Sequence, residues 1–101
     1  MNNILDSFVD FKSVFIVGRR WFERTNGNTY HSSEIYVNNK LVHKIDFCYG
    51  YGNQFEYTAF DWLKKNGYIS CDSNEAPWRF FQERDISYNS SVTDVRRKKD
   101  L

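Results

Sequence analysis

From Ser13 to Phe22 the chain is rich in β-branched and aromatic residues, with polar residues set between them, and this pattern predicts a β-strand. Asn26-Gly27 follows, the strongest tight-hairpin signal in the chain, because both residues tolerate positive φ. A second strand is expected from Thr29 to Val37, a second tight turn at Asn38-Asn39, and a third strand from Lys40 to Cys48. After residue 52 the apolar period lengthens. Phe55, Ala59, Trp62 and Leu63 form a helical stripe behind a capping Asn53, with Lys64 and Lys65 at the C-terminal end and Gly67 as the terminating residue. Tyr68-Ile69 reads as a brief extended piece. Pro77 suits the first turn of a second helix through Trp78, Phe80, Phe81 and Arg84, with Ser73 or Asn74 before it. Ile86 to Val95 is expected to be a final strand at the sheet edge. Ile4, Leu5, Phe8 and Val9 have the spacing of a short N-terminal helix or docked arm.

These elements predict an α+β domain: an antiparallel three- to four-stranded sheet with two helices mainly on one face. Residues 1–95 form one compact domain, and residues 96–101 form a basic C-terminal tail. With two-residue turns, paired positions sum to 53 in the first hairpin and 77 in the second. One face then carries the rows Val17–Tyr36–Leu41, Arg19–Glu34–His43, Trp21–Ser32–Ile45 and Glu23–Tyr30–Phe47. The other carries Ile16–Val37–Lys40, Gly18–Ile35–Val42, Arg20–Ser33–Lys44 and Phe22–His31–Asp46. The first face holds more large rings and is the one expected to lie under the helices. A one-residue slip would exchange every assignment.

Composition adds a functional hint. Aromatic residues make up 19% of the 101 positions, more than one small core takes in, so rings are expected at the surface, where Tyr and Trp suit recognition. Charge is uneven: residues 1–95 hold ten Lys/Arg and twelve Asp/Glu, whereas residues 96–100 hold four Lys/Arg and one Asp. A near-neutral body with a basic tail is neither a strongly basic nucleic-acid binder nor a charged nucleic-acid mimic. The tail reads as a solvated end, or as a contact for phosphates or an acidic partner. The first residues lack a secretory apolar region and no apolar run spans a bilayer, so a cytoplasmic location is expected, with Cys48 and Cys71 as reduced thiols.

The run Tyr49-Gly50-Tyr51-Gly52 stands at the junction of third strand and helix. It lacks the third glycine and the lysine of nucleotide-binding loops, so no nucleotide cofactor is implied. A plain turn needs the glycines but not both tyrosines. In the register above, His31 lies opposite Asp46 with Cys48 nearby, so a Cys–His–Asp arrangement can be drawn, and so can an ordinary polar cross-strand pair. The histidines and cysteines show no metal-ligand spacing. Helix, three strands and helix is also the order of a double-stranded-RNA-binding domain. Here the second helix starts Asn53-Gln54-Phe55-Glu56-Tyr57, and its lysines lie at the wrong end to grip phosphates.

Four segments together resemble a group of small uncharacterised bacteriophage proteins: residues 13–22, Gly27 to Ser32, Tyr49 to Gly52, and Val92 to Leu101. The resemblance implies an accessory protein of the infected bacterium's cytoplasm that binds, and in doing so inhibits, a host or defence component. The candidate partner-binding residues are Tyr49, Tyr51, Trp21, Arg20, Arg19 and His31. The alternative is a small nucleic-acid-binding module using Arg19, Arg20, Arg24, Arg96, Arg97, Lys98 and Lys99. No catalytic residue, metal or cofactor is assigned, and the oligomer is either a monomer or a homodimer.

Overall fold

The computed structural model describes residues 11–70 and 75–101; the expected N-terminal helix or arm, Cys71, Ser73 and Asn74 lie outside them, and the N-cap position of the helix that begins at Pro77 is Ala76. Strands β1 (Ser13–Glu23), β2 (Asn28–Val37), β3 (Lys40–Tyr49) and β4 (Ser87–Val95) form one sheet in the order β3-β2-β1-β4. Helices α1 (Gln54–Lys65) and α2 (Pro77–Glu83) connect β3 to β4, and a short 3-10 turn (Lys98–Asp100) follows. The architecture is α+β, but the sheet is mixed rather than antiparallel, because β4 runs parallel to β1. The chain leaves β3 at one edge, crosses the sheet through the helical layer and re-enters beyond β1 at the other edge. Such crossovers return a strand in the parallel sense.

Helix ends follow their sequence signals. Gly67 takes a φ of +79°, which lets its N–H reach the Lys64 carbonyl and the Tyr68 N–H reach that of Leu63, a Schellman termination. Asp85 (φ +57°) plays the same part after α2, where Ile86 N–H bonds the Phe81 carbonyl and Asp85 N–H that of Gln82. Pro77 occupies the first turn of α2. Asn53 precedes α1, but its side chain makes no capping bond. Tyr68 and Ile69 are not a strand; they pack against the core from a turn.

The strand register departs from the arithmetic in two places. The first hairpin turns through four residues, 24–27, with Gly27 N–H on the Glu23 carbonyl and the Glu23 carboxylate on Asn26 N–H. Paired positions therefore sum to 51, as in Trp21 with Tyr30. A shift of two leaves every residue on its expected face. The Asn38-Asn39 turn is the expected tight one (φ 51° and 68°), with Val37 opposite Lys40 and Tyr36 opposite Leu41. Beyond it β3 carries two irregularities, so that Ile35 faces His43, Ser33 faces Ile45, and His31 faces Cys48 rather than Asp46. The first moves His43 out of the Arg19–Glu34 row and onto the helix side, where it stacks on Trp62 with ring centroids 4.4 Å apart.

The helices cover the face opposite to the one that holds most rings. Val14, Ile16, Gly18 and Ile35 are buried there beneath Phe55, Ala59, Phe60 and Leu63 of α1 and Phe80 and Phe81 of α2. Gly18 decides the seating: a β-carbon at that position would overlap the Phe55 ring, so the missing side chain is the hollow into which the ring fits. Tyr88 adds a tie from β4, stacking on Phe81 and donating its hydroxyl to the Glu56 carboxylate. The larger rings of the open face pack on each other instead. Tyr30 stacks on Phe47 (4.7 Å) and on Trp21 (5.8 Å). Residues 96–101 leave β4 and reach across this face to the opposite edge strand. There the Lys98 ammonium sits 4.8 Å from the centre of the Phe47 ring and Lys44 donates to the Leu101 carbonyl. The tail is thus held to the sheet at Lys98 and Leu101, while Arg96 to Lys99 remain exposed to solvent.

Gly18→Ala is expected to destabilise the fold by about 1–3 kcal/mol, the usual cost of overpacking a filled core. Urea unfolding checks it, and an unchanged midpoint would show that Phe55 does not depend on the hollow.

Candidate functional site: the Tyr-Gly corner

The corner is a sharp turn that only glycine-rich sequence can make. Gly50 has a φ of +148° and Gly52 of +62°, and a side chain at Gly50 would run into Gln54. Three sets of bonds hold it. Gly50 N–H donates to the Thr29 carbonyl at 2.9 Å, extending the β2–β3 ladder by one step. The His31 ring lies beneath, with Nδ1 3.1 Å from the Gly50 carbonyl and Nε2 2.8 Å from the Thr58 hydroxyl of α1. A neutral imidazole satisfies both contacts, its Nδ1–H donating to Gly50 and its Nε2 accepting from Thr58. Arg20 closes the outer side, donating to the Gly52 carbonyl at 3.0 Å and to the Asp94 carboxylate at 2.8 Å.

On this fixed turn, Tyr49 is 65% exposed and Tyr51 76% exposed. Phe22, at the end of β1, is a third large exposed ring, and between it and Tyr51 lies an open notch of about 340 Å³ lined also by Arg20, Thr29, Gly52 and Asp94. Tyr49 leans edge-on against Tyr30, which joins the corner to the aromatic cluster of the open face.

The six residues expected to meet a partner therefore divide. Tyr49 and Tyr51 are presented outward. Arg20 lies at the notch and clamps the corner, while Arg19 is ion-paired with Glu34 at 3.2 Å and Trp21 is half-buried within the open-face cluster. His31 is 0% exposed and offers no surface to a partner; its work is to hold Gly50. Sequence reasoning names Phe22 only beside Trp21, as a ring interleaved with the arginines of the nucleic-acid alternative, and it misses Thr58, which lies on a helix whose contact with β2 no local pattern reveals.

The Cys48–His31–Asp46 arrangement does not form. Asp46 is exposed and lies 3.9 Å from Lys44, both His31 nitrogens are engaged elsewhere, and burial pushes the Cys48 thiol up rather than towards a reactive thiolate. Among the described residues, no group of three or more His, Cys, Asp or Glu side chains is placed to hold a metal ion. Among them, too, no helix is long and apolar enough to cross a membrane. Of the seven cations in the nucleic-acid alternative, Arg19, Arg20 and Arg97 are each held by a carboxylate.

Burial lowers the pKa of His31, outweighing the opposing effect of its bond to the Gly50 carbonyl. On acidification the unfolded chain therefore takes up this proton first, at about pH 6.5, so stability contributed by neutral His31 is full above that value and falls below it. Urea unfolding of the wild type is expected to show declining stability from pH 7 to pH 5.5, and His31→Gln a flatter dependence. Equal slopes would mean that His31 is not buried neutral. In comparisons with known proteins, no family model, no curated protein and no solved structure matches the chain.

Proposed function

We propose that the chain is a small bacteriophage-type accessory protein of the bacterial cytoplasm that docks on a host or defence protein and blocks it. The docking surface is the Tyr-Gly corner. One observation carries this: Tyr49 and Tyr51 are largely exposed on a turn that is immobilised by Thr29, His31 and Arg20. Exposed rings on a mobile loop lose entropy when they bind, whereas rings on a clamped turn have already given it up on folding. Aromatic anchors beside a notch that accepts a partner side chain are the usual centre of a protein interface. The phage assignment comes from the sequence resemblance alone.

The nucleic-acid alternative draws on the basic tail lying against Phe47. It is the weaker of the two, because the tail's own Arg97 is bonded to Asp100, and Arg19 and Arg20 are bonded to Glu34 and Asp94. Phosphates would have to compete with those carboxylates.

Affinity capture from bacterial lysate, followed by titration of the recovered protein, tests the corner. Tyr49→Ala/Tyr51→Ala is expected to weaken that complex by about 2 kcal/mol or more, the size of an interface hot spot. A well-folded double variant that binds as tightly as wild type would remove the corner as the interface. Arg20→Met keeps both rings and the notch wall but releases Gly52 and Asp94, and is expected to give a smaller loss, of about 1 kcal/mol, from restored loop entropy. Recovery of single-stranded nucleic acid instead, with affinity falling steeply with salt, would transfer the assignment to the alternative.

A further inference from the structure

The two edges of the sheet are built differently. β3 carries two bulge-like irregularities and the lysines Lys40 and Lys44, the features that keep an edge from accepting another strand. β4 has a continuous nine-residue register against β1, no lysine, arginine or proline within Ser87–Val95, and only one carboxylate, Asp94. Among the described residues its sole strand neighbour is β1. Nothing in that strand's own sequence protects it.

The unpaired groups can be identified. Ser87 N–H bonds the Lys12 carbonyl, so in a parallel ladder the odd residues 87 to 95 direct their amides and carbonyls to β1. Tyr88, Ser90, Val92 and Asp94 direct theirs away from it. A second β4 running antiparallel about a two-fold axis at Ser91 matches this set to itself. Tyr88 then exchanges hydrogen bonds with Asp94 of the second copy, and Ser90 with Val92. The whole strand is used, because Ser87 falls opposite Val95.

We propose that two copies of the chain associate through β4 in this register, joining their sheets into one of eight strands. Charge and size favour a second copy as the occupant. The two Asp94 carboxylates, each already paired with Arg20, face tyrosines rather than each other. The paired side chains at the centre, Asn89 with Thr93 and Ser91 with Ser91, are small and polar, so identical backbones approach without clash. The proposal is independent of the Tyr-Gly corner, and Tyr49→Ala/Tyr51→Ala is expected to leave the association intact.

Sedimentation equilibrium and cross-linking test it together. The wild type is expected to show twice the monomer mass, in a concentration-dependent manner as befits a small interface, and a monomer persisting to about 1 mM would overturn the proposal. Val92→Pro removes an outward N–H while sparing the bonds to β1, and is expected to weaken association at least tenfold without changing the fold. A folded Val92→Pro that associates as well as wild type would exclude this edge. Ser91→Cys provides a second readout that does not depend on that variant. Across the axis the two Cα atoms would be about 4.5 Å apart, within disulfide reach, whereas those of Asn89→Cys would be about 13 Å apart. Under mild oxidation only Ser91→Cys is expected to yield covalent dimer above the wild-type background; equal yields from both would reject the register.

Discussion

The seat of α1 on the sheet is the constraint from which the rest follows. Phe55 enters the hollow at Gly18, Ser33 donates its hydroxyl to the Phe55 carbonyl at 2.8 Å, and His31 meets Thr58 one turn further on. A ring in a hollow fixes position, and two directional bonds fix rotation. With α1 held in this way, its first residues must start where β3 ends. Only a backbone with positive φ at Gly50 and Gly52 turns that sharply. The exposed tyrosines are thus a consequence of core packing as much as of the corner's own sequence.

That seat also sorts the aromatic residues. Over Gly18 the helix face admits side chains of limited size because α1 lies close, and most large rings of β1, β2 and β3 are left to the other face, with Phe22 on the helix side only at the end of β1. There Trp21, Tyr30 and Phe47 stack together, and Lys98 adds a cation to the Phe47 ring. Counting rings pointed to the wrong face because it weighed apolar area and ignored the space that the facing helix leaves. Gly18, the residue that mattered most, contributes no area at all.

Elements were legible in the sequence wherever one residue type forces one conformation. Asn38-Asn39, Gly67 and Pro77 each fixed a turn or a helix end close to where it is found. What could not be read were features set by contacts between distant segments. The irregularities of β3 at Val42 and Asp46–Phe47 have no glycine or proline to announce them, yet they move His43 across the sheet and separate Asp46 from His31. The parallel placement of β4 follows from a helical crossover between opposite edges, and no local pattern states which edge a strand joins. At the candidate site, Tyr49 and Tyr51 were identified from a turn that did not need them. Arg20 and His31 read in sequence as partner contacts; in the fold both hold the backbone of the corner, and a polar residue near a corner looks the same in sequence whether it faces a partner, holds the backbone or does both.

The buried polar run His31-Ser32-Ser33 shows how this division operates within a single strand. All three are fully buried, although buried polar groups lower stability unless they are bonded. His31 and Ser33 face the helix and are satisfied by Gly50, Thr58 and the Phe55 carbonyl, so their polarity orients α1 and the corner together. Apolar residues there would pack, but they would not specify the angle at which the corner projects. Ser32 faces the other way and, among the described residues, its hydroxyl has no hydrogen-bond partner. It lies opposite Arg19 on the open face that residues 96–101 cross. A small side chain at this fully buried position takes up little of the space on that face, more of which a valine or threonine would fill. The two serines and the histidine thus serve two layers at once: directional bonds on the side that must be exact, and small volume on the side where rings and tail converge.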